Sequence, residues 1–198
     1  MYDKLILTDC DGVLLNWEYA FDVWMNERGH LKVDNDSYSV GTRYKISKEY
    51  GRECIKLFNE SAAIGFLPPL RDAMYYVKKM HEELGYVFRV ITSLSTNPYA
   101  VKLRERNLEK LFGTAIDSVV CLETGADKDD ALLPYKDSGC YWIEDKVINA
   151  ELGDKLGMRS IIIEHGHNMY YRKHFKNRNS HIPVVKDWKE IYEMMRNN

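Results

Sequence analysis

Two aspartates two residues apart follow the first apolar run of the chain. Residues 5–8 read Leu-Ile-Leu-Thr, and Asp9, Asp11 and Gly12 come directly after them. Side chains two residues apart in a strand face the same side, so both carboxylates would point toward one site. One carboxylate can attack phosphorus while the other transfers a proton, and Gly12 lets the chain turn sharply behind them. The pattern favours phosphoryl transfer, with a turn in which two aspartates cap a helix as the alternative.

The same residues resemble the opening motif of the haloacid dehalogenase (HAD) superfamily, an apolar strand followed by Asp-x-Asp-Gly. The resemblance implies that Asp9 is the nucleophile and that Asp11 acts as general acid and then as general base. It also implies a phosphomonoester hydrolase that works through an aspartyl-phosphate intermediate. Because a four-residue pattern is only moderately specific, three further motifs must follow in the right order.

Two of those motifs would hold the phosphate. Thr92 and Ser93 end a second apolar run, and hydroxyls at a strand end can bind phosphate oxygens without adding charge. An ordinary turn or helix cap is the alternative for such a pair. Lys128 matches the family position of the lysine that neutralises repulsion between the nucleophile and the phosphate. Lys136 is its rival, and a solvated surface charge is the default for either lysine.

The fourth motif is an apolar run that ends in Glu144 and Asp145. Mg²⁺ prefers hard oxygen ligands, commonly one or two carboxylates beside a substrate phosphate. The resemblance places Asp145 as a direct Mg²⁺ ligand, together with the Asp9 carboxylate and the main-chain carbonyl of Asp11. The resemblance does not make Glu144 a direct ligand of the ion. Asn149 stands where some relatives carry another acid, so the contribution of Asn149 to the metal site stays open.

Strands must alternate with helices to position these motifs. Strand-like runs occur at about residues 4–9, 86–92, 116–121, 139–143 and 158–164. Helical stretches lie between and after them, at about residues 70–84, 97–109, 127–134, 146–156 and 187–196. This alternation predicts an α/β fold, a Rossmann-like parallel sheet flanked by helices. In such sheets ligands bind beyond the carboxyl ends of the strands, where the four motifs lie.

Residues 16–66 interrupt the alternation, because they contain two helix-like stretches where a crossover needs only one. We expect one helix from about Trp17 to Glu27 and a second from near Ser47 to Ala63, joined by a turn-rich linker. One large HAD subgroup carries a small helical cap at this place. The predicted domains are therefore a HAD-like core of residues 1–15 and 67–198 and a helical cap of residues 16–66.

Bulk composition excludes several classes of protein. The 198 residues are 45% hydrophobic and 29% charged, and the formal net charge is -2, which disfavours a general nucleic-acid partner. No apolar stretch is long enough to span a membrane, and the first residues lack the regions of a signal peptide. Four scattered cysteines without metal-ligand spacing favour reduced thiols. We predict a cytoplasmic protein and leave the choice between monomer and homodimer open.

Substrate choice should depend on the cap. The chain is most similar to the 5'(3')-deoxyribonucleotidase group, through Trp17-Glu18, Tyr50-Gly51 and the segment 184–191. This resemblance implies a small phosphorylated substrate, a nucleoside monophosphate. Alternatives are a phosphatase of sugar phosphates or of nucleic-acid 3' ends, and a HAD-fold binding protein that has lost catalysis. Candidate specificity residues are Trp17, Arg43, Tyr44 and Lys45, with packing inside the cap or solvation as their alternatives, whereas Tyr50 is expected to pack inside.

Two features near the end of the chain remain. His165 and His167 follow the final strand, and we expect them to belong to an ordinary loop, because a third metal ligand at suitable spacing is missing. The segment 170–178 is both basic and aromatic, so it is a candidate for binding a phosphate-rich partner, with a charged surface loop as the favoured interpretation.

Overall fold

A six-stranded, wholly parallel sheet forms the centre of the protein. The computed structural model describes residues 4–169 and 182–197, so the basic segment 170–178 lies outside the described residues. The strand order is β3-β2-β1-β4-β5-β6, which places the first aspartate motif at the centre of the sheet. The strands are β1 (Leu5–Thr8), β2 (Val87–Thr92), β3 (Ile116–Cys121), β4 (Tyr141–Glu144), β5 (Arg159–Ile163) and β6 (Val184–Val185). The predicted α/β class is confirmed.

Eight α-helices accompany the sheet within the described residues. They are α1 (Trp17–Asn26), α2 (Val40–Tyr44), α3 (Lys48–Asn59), α4 (Ala73–Leu84), α5 (Pro98–Phe112), α6 (Asp129–Leu132), α7 (Val147–Lys155) and α8 (Trp188–Arg196). Short 3-10 turns cover Ala62–Phe66, Gly113–Ala115, Leu133–Tyr135 and Gly166–Asn168. None of these helices is long and apolar enough to cross a membrane.

Both faces of the sheet are covered. Ile6 of β1 belongs to a large apolar cluster with residues of α4, α5 and α8. Its neighbours Leu5 and Leu7 point to the other face, where they join a second cluster that includes Trp142. This division follows from the two-residue period of a strand. It also explains why the central strands β1 and β4 are nearly continuous apolar runs, since their residues are buried on both faces.

The segment 16–66 has an aromatic interior of its own. Phe21 of α1 packs edge-on against Phe58 of α3 and Tyr44 of α2, and Trp17 stacks on Phe21 with ring centroids 4.5 Å apart. Such contacts add to the hydrophobic stabilisation of a small helical unit. The segment thus contains the predicted pair of longer helices, while its separation as a domain stays a prediction.

Three details of the secondary structure differ from the sequence-based prediction. The second long helix of this segment ends at Asn59, before Ala63, because Ser61 accepts a hydrogen bond from the Ala63 amide and starts a 3-10 turn. The turn-rich linker contains the short helix α2, which begins where the Ser39 side chain accepts from the Thr42 amide. The two-residue strand β6 was too short to detect as a periodic pattern.

Candidate active site

A cleft of about 700 Å³ lies where the carboxyl ends of the central strands meet the helical segment 16–66. The loops after β1, β2 and β4 contribute to its lining, and so do α1 and α3. Six residues that the sequence selected line this one cleft: Asp9, Asp11, Thr92, Ser93, Lys128 and Asp145. The structure therefore brings the four motifs together, at the sheet edge where parallel α/β folds bind ligands.

Asp9 is the most deeply placed carboxylate at the end of β1. It is 9% exposed, and its Oδ1 accepts a hydrogen bond of 2.7 Å from the Cys10 amide. Lys128 Nζ lies 2.9 Å from the same oxygen. Burial raises the pKa of Asp9 to about 8, although the Lys128 ammonium opposes this shift. Burial thus makes this carboxylate harder to ionise than an ordinary aspartate, and a bound cation would favour its ionised form.

Lys128 is an internal cation, shared between two carboxylates. It is 2% exposed, and its Nζ also lies 2.7 Å from Glu144 Oε1. Burial acts to lower its pKa, but the carboxylates of Asp9 and Glu144 outweigh burial and raise the pKa above the ordinary lysine value. Lys128 therefore stays charged. The rival Lys136 is exposed and does not line the cleft.

The acidic side chains of Asp9, Glu144 and Asp145 can hold a metal ion, because ligand atoms of all three lie within 4.8 Å of one another. Glu144 already uses both oxygens: Oε1 accepts from Lys128 and Asn149, and Oε2 accepts from the backbone amides of residues 145 and 146. Asp9 and Asp145 are thus the carboxylates left to bind an ion directly. All-oxygen donors of this kind suit a hard cation such as Mg²⁺.

Gly12 makes room for Asp145. Its φ is +78°, and a Cβ added there would lie 2.5 Å from Asp145 Oδ2. Any side chain at this position would displace the carboxylate and strain the backbone. The glycine of the first motif is therefore required both for the turn and for the approach of the fourth motif.

The phosphate-binding candidates lie at the end of β2. Thr92 is 1% exposed and lines the cleft. Ser93 lines it too, but its hydroxyl donates to the Ala126 carbonyl at 2.8 Å, which ties the β2 end to the loop that carries Lys128. The Thr92 hydroxyl is therefore the one available to a phosphate. Ser93 would contribute to phosphate binding mainly by holding the loop in place and through its backbone.

Asp11 faces an arginine that the sequence analysis did not select. Arg104 of α5 is fully buried and binds both oxygens of Asp11, with Nη2 at 3.1 Å from Oδ2. Its Nη1 also lies 2.8 Å from Cys10 Sγ. Burial acts to lower the pKa of Arg104, but Asp11 more than offsets this effect and raises it. A planar guanidinium that meets a carboxylate at both oxygens fixes its orientation.

A signal for Arg104 was present in the sequence. Ala100 and Leu108 lie four residues before and after it on α5, and both are buried, so Arg104 occupies the apolar face of a helix. A charged residue at such a position is almost never buried unless it is paired. That observation indicates a partner but does not identify it.

The histidine pair belongs to the site, which corrects the expectation of an ordinary loop. His167 Nε2 lies 3.3 Å from Asp145 Oδ2, and His165 Nε2 is 2.6 Å from the Gly12 carbonyl. Their rings stack with centroids 5.4 Å apart, and both line the cleft. Burial acts to raise the pKa of Asp145, but His167, His165 and Lys128 outweigh it and hold that pKa below the ordinary value.

The loop with the histidines is fastened to the fourth motif by Asn168. Its side-chain amide is buried and donates to the carbonyls of Asp145, at 2.7 Å, and Ile163, at 2.8 Å. Sequence reasoning could not find this contact, because it depends on β4 and β5 ending side by side.

Of the four specificity candidates, Trp17 and Arg43 line the cleft. Trp17 is held by a hydrogen bond of 2.9 Å from its Nε1 to Asn59 Oδ1. Arg43 is buried, and its guanidinium pairs with Glu18 at 3.1 Å and donates to the Ser37 carbonyl. Arg43 therefore already has internal partners.

Tyr44 and Lys45 do not line the cleft, which corrects their selection as specificity candidates. Tyr44 is 5% exposed, and its hydroxyl donates to Asp22 inside the helical segment. Lys45 is exposed at the end of α2. Tyr50, expected inside, is 41% exposed and contacts His30. Periodicity alone could not reveal which face of each short helix packs inward.

Comparison with solved structures identifies the fold. A haloacid dehalogenase-like hydrolase from Streptococcus pneumoniae superposes with a TM-score of 0.65 at 13% identity, covering 96% of this chain and 97% of that one. L-2-haloacid dehalogenase from Xanthobacter autotrophicus gives 0.63 at 11% identity and 98% coverage of both chains. D,D-heptose 1.7-bisphosphate phosphatase from B. bronchiseptica, complexed with magnesium and phosphate, gives 0.58 at 11% identity and 98% coverage of both. The chain has the fold of HAD-superfamily hydrolases.

Among curated proteins, the chain is similar to an uncharacterized 32.4 kDa protein of the Gp30-rIII intergenic region of Enterobacteria phage T4. The two are 30% identical over 139 residues, which is 67% of this chain and 49% of the phage protein. The chain thus spans about half the length of the curated relative it matches. No protein-family model matches it.

Proposed function

We propose that this protein is a Mg²⁺-dependent phosphomonoester hydrolase of the HAD type. The observation that carries the proposal is the position of Asp9, which is buried at the end of the central strand between Lys128 at 2.9 Å and the other acids of the cluster. A nucleophilic carboxylate needs a neighbouring fixed cation before a phosphate can approach it. The HAD fold of the chain supports the same chemistry by analogy.

In the proposed reaction, Asp9 attacks phosphorus in line and forms an aspartyl-phosphate, while Asp11, which enters this step as the neutral acid, gives its proton to the leaving oxygen and becomes a carboxylate paired with Arg104. Asp11 then removes a proton from water, which hydrolyses the acyl phosphate and regenerates Asp9. Lys128 and Thr92 bind the equatorial oxygens through both steps. Mg²⁺ held by Asp9, Asp145 and the carbonyl of Asp11 would neutralise charge on the phosphate.

Water should reach the phosphorus only in the second step, when it hydrolyses the aspartyl-phosphate. The helical segment 16–66 can restrict the access of water to the cleft. Trp17 and Asn59 line the same cleft as the acidic residues, and the Asn59 amide donates to the Leu94 carbonyl just after β2. This hydrogen bond links the helical segment to the phosphate-binding strand. A covered site excludes bulk water and strengthens each electrostatic contact inside it.

As substrate class we propose nucleoside monophosphates, with a (deoxy)nucleotide as the best candidate. Trp17 supports this choice, since an indole that lines the cleft offers a surface on which a base can stack. Glu18 also lines the cleft, with only its Oε1 paired to Arg43 and Lys32, so it can meet the polar edge of a base. A panel of nucleotides and sugar phosphates tests the choice, because faster turnover of sugar phosphates would contradict it.

The decisive experiment replaces the nucleophile. Asp9→Asn should abolish Mg²⁺-dependent hydrolysis of an aryl phosphate, with a loss of at least about 10³-fold, because an amide cannot form the phosphoenzyme. Asp130→Asn is the matched control, since Asp130 is an exposed aspartate outside the cleft. If Asp9→Asn keeps its activity, the assignment is wrong. If the unaltered protein hydrolyses nothing on the panel, the silent binding protein is the better description.

A further inference from the structure

Helix α3 presents two cations to the mouth of the cleft. Arg52 and Lys56 are four residues apart, so they lie on the same face of the helix, and both line the cleft that contains Asp9. Both are exposed. Lys48, four residues before Arg52 on the same helix, is exposed as well but does not line the cleft.

Apart from Lys146, the other charged side chains of the cleft are mostly compensated inside the protein. Lys128 pairs with Asp9 and Glu144, and the Asp11 carboxylate pairs with a buried arginine. Glu18 pairs with Arg43 and with a nearby lysine, and Asp145 lies against His167.

In contrast, Arg52 and Lys56 form no ion pair with any residue that the structure describes. Their charge is therefore available to a ligand. A solvated helix face would explain exposed cations, but it does not explain why two of them line the same cleft as the nucleophile.

Apolar side chains line the same cleft as these cations and the phosphate-binding residues. Ile55 of α3 lines the cleft beside Arg52 and Lys56, and Val40 and Trp17 line it too. A ligand that places one phosphate at Asp9 would lay its central part along these apolar side chains. A cleft of about 700 Å³ has room for a ligand of that size.

We propose that Arg52 and Lys56 form a second anion subsite, and that the substrate is a phosphomonoester carrying a further phosphate or phosphodiester group. This inference rests on the proposed phosphomonoesterase function, and it replaces the simple nucleoside monophosphate by a nucleotide that carries a second anion. The same chemistry has two sources, a small nucleoside bisphosphate and the phosphorylated end of an oligonucleotide. Both place a second anion one nucleoside away from the phosphate that is cleaved.

Equilibrium binding tests the subsite separately from turnover. Calorimetry with the Asp9→Asn protein and Mg²⁺ would compare three probes: thymidine 5'-monophosphate, thymidine 3',5'-bisphosphate and a 5'-phosphorylated thymidine trinucleotide. We expect the probes with a second anion to bind about 3- to 20-fold more tightly than the monophosphate, as two exposed ion pairs allow. That preference should shrink at high salt, since exposed charges are screened.

Variants of α3 decide whether these two residues cause the preference. In the same Asp9→Asn background, the double change Arg52→Gln and Lys56→Gln should remove the preference while altering monophosphate binding by less than about twofold. Lys48→Gln is the matched control and should leave all three affinities unchanged. All three positions are exposed, so thermal melts should show intact folding.

The outcomes separate the two proposals. Equal affinities for one and two anions, or a preference that survives the double change, would overturn the subsite. A preference that depends on Arg52 and Lys56 supports it, and the tighter of the two larger probes identifies the source. An absence of aryl phosphate hydrolysis by the unaltered protein, together with a retained preference, would overturn only the proposed catalysis.

Discussion

At the scale of single residues, the pair of Asp11 and Arg104 matters most for the proposed chemistry. The second aspartate of the first motif borders the cleft, and a fully buried guanidinium holds both of its oxygens. Arg104 does not line the cleft, so it acts through Asp11 as a positioning residue. Its charge is compensated by Asp11, while its Nε has no hydrogen-bond partner.

Replacement of Arg104 should therefore damage turnover more than binding. For Arg104→Met we expect kcat to fall about 10- to 100-fold with KM nearly unchanged, because Asp11 loses its fixed orientation. The kcat of Arg104→Lys should lie between that of Arg104→Met and that of the unaltered protein, since an ammonium cannot bind both carboxylate oxygens in one plane. Steady-state kinetics with an aryl phosphate measures kcat and KM of each variant. Arg106→Met is the control, because Arg106 is an exposed arginine of the same helix. Unchanged kcat in Arg104→Met would contradict the role.

At the scale of elements, α8 supports the loop that follows β1. Trp188, at the start of α8, is fully buried, and its Nε1 donates to the Val13 carbonyl at 2.9 Å. The Asp72 carboxylate accepts from the backbone amides of Trp188 and Lys189, at 3.0 and 3.1 Å. The last helix is thus joined both to the first loop and to the start of α4.

Loss of the Asp72 contact should lower global stability. The first amides of a helix have no partner within the helix, so Asp72→Ala should cost about 1 kcal/mol of unfolding free energy. Asp72→Asn keeps one acceptor oxygen and should lose less. Urea denaturation followed by circular dichroism measures both. Equal stability of the alanine variant and the unaltered protein would show that water replaces the carboxylate without cost.

At the scale of the whole molecule, a bound cation should couple to folding. The carboxylates of Asp9, Glu144 and Asp145 are buried close to one another, and they follow or end strands that separate on unfolding. A ligand that binds only the folded state stabilises it in proportion to the logarithm of its concentration. Mg²⁺ should therefore stabilise the protein even without substrate.

Thermal melts with and without metal test this coupling. At Mg²⁺ concentrations about tenfold above Kd, the gain is about 1.4 kcal/mol, and Tm should rise by about 3–6 °C relative to protein in EDTA. Asp145→Asn should remove most of the rise, whereas Asp130→Asn should keep it. Sodium chloride of equal ionic strength controls for screening. An equal rise in both variants would place the cation elsewhere.

The cytoplasmic location of the protein stays a prediction, and so does its oligomeric state, for which the sequence left monomer and homodimer open.

Local pattern was enough to predict the sheet and its four motifs. Apolar runs that end in acids or hydroxyls identify strand ends, and parallel strands present those ends at one edge. For this reason Asp9, Thr92 and Asp145 could be placed near one another before any coordinates, whereas Lys128 was selected through the resemblance to the HAD superfamily. The end of α4 and the start of α5 lie within one residue of the predicted limits, and Gly85 and Asn97 are the local signals at these two places.

Only the tertiary structure decided what surrounds those motifs. Arg104 contacts Asp11, which lies 93 residues away in the chain. His167, in the loop after β5, contacts Asp145 at the end of the neighbouring strand β4. Arg52 lines the cleft only because α3 packs over it. The sequence alone determined which residues end the strands, since that depends on a two-residue period. It could not determine which helix faces meet the strand ends, because packing of whole elements sets those contacts.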